Sequence, residues 1–356
     1  MRWRRLRKIL PVVALIALAR PGAAASPAAV YYPGPGNGWE RRAADDMGLD
    51  GGRLKETVAF AVASETRAPR DLALEHVLSY AREPYDDPVG PFKEPGPATG
   101  VIVRHGYVVA EWGQPARVDM TFSVSKSFLS AVVGVAYDRG LIKDVRRRVG
   151  EDVPIEQFRS EHNAKITWDD LLRQTSDWEG TLWGKPDGTD RPEGDLAQYI
   201  ARKRNEPGAV YKYNDVRVNV LALAALHLWR RPLPDVLREN VMDPIGASGD
   251  WRWHGYDNSW VEIGGARVQS VSGGGHWGGG MWISAWDQAR FGYLTLRRGR
   301  WKDRQLVSEA WVKMSLTPTP AVIYVDPEDD LVVVARWIDR SAMDGLVQRV
   351  LAARIR

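Results

Sequence analysis

The chain has no cysteine in 356 residues. Disulfides, thiolate metal centres and cysteine nucleophiles are therefore excluded, and stability has to come from a packed core. Its six histidines, His76, His105, His162, His227, His254 and His276, show no H-x-x-x-H spacing, so no metal or other cofactor is expected. There is no G-x-S-x-G, which argues against an α/β-hydrolase triad. A basic surface is also lacking. The formal charge of +4 comes from Arg2, Arg4, Arg5, Arg7, Lys8 and Arg20, all within the first 25 residues. Beyond them 43 basic residues face 45 acidic ones, so no nucleic-acid partner is implied. With 44% hydrophobic and 26% charged residues the chain is not disordered overall, and it is long enough for one large domain or two interleaved ones.

A membrane-spanning run is missing as well. Ile9 to Ala19 is apolar for eleven residues, short of the roughly 20 a spanning helix needs. It follows basic Met1 to Lys8 and precedes Ala23-Ala24-Ala25, a small-residue cleavage pattern. Residues 1–25 therefore read as a signal peptide, Ser26 as the mature N-terminus, and the location as periplasmic or secreted, with no membrane attachment after cleavage. An uncleaved anchor is the alternative. Arg4-Arg5 matches a twin-arginine signal only weakly.

Residues 26–52 read as an extended lead-in, Pro/Gly-rich from Tyr31 to Trp39. Its Gly34-x-Gly36-x-Gly38 has no strand before it, so a nucleotide loop is not indicated. Leu54 to Ala63 has helical spacing. Val101 to Val103 and Tyr107 to Trp112 flank His105-Gly106 as a hairpin. A helix runs from Ser123 to Arg139 and stops at Gly140. The middle reads as helix and loop, with a capping box at Thr167 to Asp170, helices over Leu196 to Lys203 and Asp215 to Leu228, and a further N-cap at Ser284. A short helix opens at Ser308. Ala321 to Val325 and Leu331 to Trp337 are β-branched runs around a turn, and Ser341 to Ile355 is an amphipathic helix. The expected fold is α/β (α+β): an antiparallel sheet from both termini flanked by helices (about 53–122 and 285–356), with an inserted mainly helical domain (about 123–284).

Ser123-Val124-Ser125-Lys126 is the only S-x-x-K in the chain. Residues three apart share a helix face, so Ser123 Oγ and Lys126 Nζ can meet. A serine hydroxyl needs a neighbour to take its proton, and burial lowers a lysine pKa toward a neutral amine. Alone, the tetrapeptide fits an N-cap serine and a solvated lysine better. The helix that follows is apolar almost all round, which places Lys126 at the edge of a core.

Thr121 to Phe128 (TFSVSKSF), followed by Asp138 to Asp144 (DRGLIKD), resembles the penicillin-recognising serine hydrolases, in the branch of class C β-lactamases, D-alanyl-D-alanine peptidases and 6-aminohexanoate-oligomer hydrolases. Three more segments follow in that family's order: Ile166 to Ser176 (ITWDDLLRQTS), with Asp177 where the family has glycine; Pro207-Gly208 before Tyr211 to Asp215 (YKYND); and Gly279 to Gly292 (GGMWISAWDQARFG). The similarity runs from about Arg53 to the C-terminus, so 53–356 is expected to be one β-lactamase/transpeptidase-like domain.

The resemblance implies Ser123 as the acylated nucleophile, Lys126 as its activating partner, and Tyr213 as the residue that shares proton transfer. Tyr211 is the register alternative. Asp215 stands where the family usually carries Asn. It reads either as a substrate-side charge that raises the Lys126 pKa or as an N-cap. Trp178, Trp183 and Trp277, from sixteen tryptophans, read as pocket linings or as core. His276, within Gly273 to Gly280 (GGGHWGGG), reads as a substrate-site or a supporting residue, and the glycines would allow close backbone approach to a ligand. The family's third motif, K-T-G or a variant, is absent, and the strand that carries it is not found between about Pro320 and Ala321. The function implied is an exported serine hydrolase acting on a small amide or ester through an acyl-enzyme. The alternative is an impaired or inactive relative that binds small molecules or peptidoglycan fragments.

Overall fold

β-Branched residues at the two ends of the chain form adjacent hairpins, and these position everything else. The computed structural model describes residues 30–315 and 323–355. The expected signal peptide and residues 316–322, around the place expected for the third motif, lie outside the described residues. Helices α1 (Gly51–Ala63) and α2 (Leu72–Tyr80) precede the hairpin β1 (Thr99–Arg104) and β2 (Tyr107–Trp112), and β3 (Asp119–Met120) leads into α3 (Ser125–Asp138). Next come α4 (Val149–Asp152), α5 (Trp168–Leu172), the short strands β4 (Thr181–Leu182) and β5 (Lys185–Pro186), α6 (Leu196–Ala201), α7 (Asp215–Trp229) and α8 (Leu233–Leu237). Strands β6 (Arg252–Ile263), β7 (Ala266–Val271) and β8 (Gly280–Ile283) are followed by α9 (Ala285–Leu296), β9 (Arg300–Trp301), β10 (Arg304–Gln305) and α10 (Glu309–Ser315). The chain closes with β11 (Ile323–Asp326), β12 (Leu331–Arg336) and α11 (Met343–Ala352).

The main sheet is antiparallel in the order β11-β12-β1-β2. Its two central strands pair Ile102 with Val333 and Val103 with Val332. Alternate side chains face opposite layers. Ile102, Leu331, Val333 and Ala335 pack with Leu54, Leu346 and Val350 of α1 and α11. Val101, Val103, Val332 and Val334 face the larger core that contains α3, α7 and α9. Burial on both faces explains why these strands read as continuous apolar runs. The β1–β2 turn places His105 at φ 52° and Gly106 at φ 87°, the conformation a tight two-residue hairpin needs. Among the described residues no strand pairs with the outer side of β11.

Beside its helices, the mainly helical middle carries three strands of a second antiparallel sheet, β3-β8-β6-β7. Strand β8 matters most for the site. Met281 N–H donates to Ser125 Oγ at 2.8 Å, and Thr121 N–H and Oγ1 both donate to the Met281 carbonyl. These bonds lock the start of α3 onto the sheet. Gly280 is required there, because a Cβ would lie 2.8 Å from Ser125 Oγ. The lead-in is also built into the fold: buried Arg290 of α9 donates to the carbonyls of Gly34, Gly36 and Ile245.

Candidate active site

Ser123 lies in a single 3-10 turn, Phe122–Val124, just ahead of α3. Phe122 before it has φ 47°, a conformation an aromatic residue rarely adopts. The turn leaves Ser123 exposed. Its Oγ does not serve as a helix cap. It is hydrogen-bonded to Tyr213 OH and accepts from Lys126 Nζ at 3.3 Å. Lys126 is one turn along on the same face, as the spacing predicts.

Tyr213 is fixed by its neighbours. Lys212 N–H donates to the Gln174 carbonyl and Asn214 N–H to Gln174 Oε1 at 2.7 Å. Asn214 then caps α7 by accepting from Arg217 N–H. Tyr213 reaches the serine, while Tyr211 is exposed to solvent.

Lys126 donates to Asp215 Oδ1 at 2.6 Å, and its ammonium stands 4.6 Å from the centre of the Tyr213 ring. Burial alone would lower its pKa, but the Asp215 carboxylate and Tyr213 outweigh that and hold it above the ordinary lysine value. The neutral amine expected from burial is therefore replaced by an ammonium ion. Burial alone would raise the pKa of Asp215; Lys126, then His276, hold it below the usual carboxylate range.

Asp215 is itself buried, as first residue of α7, so it faces Lys126 instead of an open substrate surface. His276 supports it: its backbone N–H donates to Asp215 Oδ2 at 3.0 Å, and its ring Nε2 pairs with Glu83 at 3.1 Å. The glycine run brings backbone against this carboxylate. A Cβ on Gly274 would lie 2.0 Å from Asp215 Oδ2. Trp178 and Trp277 belong to the core, at 2% and 0% exposure; Trp178 Nε1 donates to the Gln157 carbonyl. Trp183 is half-buried against the same core at the β4–β5 turn.

Three residues that sequence reasoning missed complete the surroundings. Arg191 stands 4.6 Å from the Tyr213 ring centre and donates to Asp190 Oδ1 at 2.7 Å, and Glu83 closes the far side of His276. They come from polar loops without periodicity, so no local pattern marks them. Glu83, Asp190 and His276 offer ligand atoms within 4.8 Å of one another. These atoms partner one another, Arg191 and the Asp215 amide.

A family model described as Beta-lactamase matches residues 89–329. No curated protein matches the chain in sequence. Among solved structures, a candidate 6-aminohexanoate-dimer hydrolase from Bacillus anthracis is similar at 14% identity and TM-score 0.52, covering 90% of this chain and 97% of its own. A penicillin-binding protein homolog from Caulobacter crescentus shares 15% identity at TM-score 0.52, over 72% of this chain and 92% of that one. EstCE1, a hydrolase with promiscuous acyltransferase activity, shares 16% at TM-score 0.52, over 85% and 98%. At these identities the likeness is one of fold.

Proposed function

The chain belongs to the β-lactamase family of serine hydrolases, and from that premise we propose that it is an exported hydrolase that cleaves an amide or ester through an acyl-enzyme on Ser123. The observation that carries the reading is the placement of Ser123 Oγ. It is exposed, makes no capping bond, and meets both Tyr213 OH and Lys126 Nζ. In acylation, the Ser123 proton passes to the Tyr213 oxygen while Oγ bonds to the substrate carbonyl carbon, and the tyrosine hydroxyl delivers a proton to the departing nitrogen or oxygen as its bond to carbon breaks. Water attacks the acyl-enzyme by the same route and regenerates Ser123. Lys126, kept cationic by Asp215, steadies the negative charge as it passes between the two oxygens.

The breadth of the substrate class is supported by structural neighbours named as a 6-aminohexanoate-dimer hydrolase and as a hydrolase with promiscuous acyltransferase activity. Export is supported by the basic, apolar and small-residue order of residues 1–25. A fluorophosphonate probe tests the chemistry on protein recovered from the exported fraction and beginning at Ser26. Covalent labelling of Ser123, absent in Ser123→Ala, is the expected result. Folded protein that takes up no label would favour a binding role without turnover.

A further inference from the structure

The two cations beside Tyr213 share one anchor that the reaction does not consume. Asp190 is fully buried. Its Oδ2 accepts the backbone N–H of Asp215 at 2.6 Å. Its Oδ1 accepts Arg191 Nη1 at 2.7 Å and lies 3.7 Å from His276 Nδ1. Asp215 in turn holds Lys126 at 2.6 Å. Lys126 and Arg191 each stand 4.6 Å from the Tyr213 ring centre. One carboxyl therefore fixes Arg191 directly and Lys126 through the start of α7.

Resting on the serine-hydrolase reading above, we propose that Asp190 is a positioning residue of this site: as a carboxylate it holds Arg191 and Asp215 so that both cations face Tyr213, and when protonated it lets Arg191 go. Protonation removes the negative charge on Asp190, and with it the charge–charge attraction that holds the Arg191 guanidinium. The Arg191 side chain is 44% exposed, so solvent competes for it as soon as that bond weakens. Burial, and then the Asp215 carboxylate, push the Asp190 pKa up to about 6, which brings the change into a range where hydrolases are assayed. The charged and titratable groups facing Asp190 are Asp215 at the start of α7, Arg191 on its own loop, His276 on the glycine loop with Glu83 behind it, Tyr80 of α2 and Tyr256 of β6. All of them are retained in Asp190→Asn, so comparing the two proteins cancels their shared ionisations.

The test is the rate of fluorophosphonate labelling of Ser123 in the wild-type protein and in D190N, taken as a ratio across pH. The ratio should be close to one at low pH and rise to about tenfold at neutral pH, in step with loss of the Asp190 proton. Arg191→Gln, at a partly exposed position where the fold is not at stake, should lose the same pH-dependent factor. A ratio that is constant across pH means that Asp190 only supports the fold, and overturns this proposal alone. No labelling of the wild-type protein at any pH overturns the serine-hydrolase reading, and this proposal with it.

Discussion

Asp177 stands where the resembling segment carries glycine, and its φ of 43° is one that glycine would adopt more easily. The aspartate is kept by its partners. Its carboxylate accepts from Arg202 and Arg217 and from Asn205 N–H at 2.8 Å. Arg217 is 1% exposed and donates to both Asp177 and Asp187. Left-handed backbone costs a non-glycine residue about 1–2 kcal/mol, whereas breaking a buried ion pair costs about 3–5 kcal/mol. Asp177→Gly should therefore destabilise the protein by about 3 kcal/mol in urea unfolding at neutral pH, despite the easier backbone. The arginines and the Asn205 amide outweigh the effect of burial and hold the Asp177 pKa well below the usual carboxylate range. A depressed folded-state pKa contributes stability that is present above the unfolded value and lost as pH falls. The wild-type protein should accordingly lose stability on acidification below about pH 4, and the variant should show a shallower loss.

At the scale of elements, what could be read in advance was whatever had a period or a cap. The β1–β2 hairpin, the α3 start at the S-x-x-K, the Thr167 capping box and the Ser284 N-cap all appear in place. The second sheet did not show, for two local reasons. The register of β6 breaks between Gly255 and Trp260, which interrupts its alternation, and β8 begins inside a glycine run that reads as loop. Ser123, Lys126 and Tyr213 were legible because a helix turn and a short segment place them. Asp190, Arg191 and Glu83 were not, because only the tertiary fold brings their loops together. The glycine run itself carries a test. The Asp215 carboxylate is held by Lys126 on one oxygen and by His276 N–H on the other, so it has no room to yield to a Cβ on Gly274. Gly274→Ala should displace the Asp215–Lys126 pair and slow Ser123 labelling on the order of 10²-fold, the effect of a misplacement of about 1 Å at a reacting centre. Thermal unfolding of the same variant separates this from unfolding: overpacking alone costs about 1–3 kcal/mol, within the stability of an ordinary domain.

For the folded unit from Tyr31 onward, the lead-in decides where the domain begins. The resemblance starts near Arg53, and 26–52 read as an extended approach to it. Yet Trp39 and Leu49 are 4% and 0% exposed. Trp39 lies under the Arg290 guanidinium at 5.2 Å, and that guanidinium takes two of its three carbonyl acceptors from Gly34 and Gly36. Leu49 packs in the layer between the main sheet and α1, and Asp50 N–H donates to the Ala353 carbonyl beyond α11. A chain beginning at Gly51 would lose two large buried side chains, at about 1.5–3 kcal/mol each. It would also leave a buried cation short of partners, at about 1–3 kcal/mol or more. Together these match much of the 5–15 kcal/mol that holds a domain folded. A chain beginning at Val30 keeps every one of these contacts. Side-by-side calorimetry of the two should show one cooperative transition for the chain from Val30 and none, or one at much lower temperature, for the chain from Gly51. Equal melting temperatures would mean that Arg290 and the two sheet layers find other partners, and would move the domain boundary back to the start of α1.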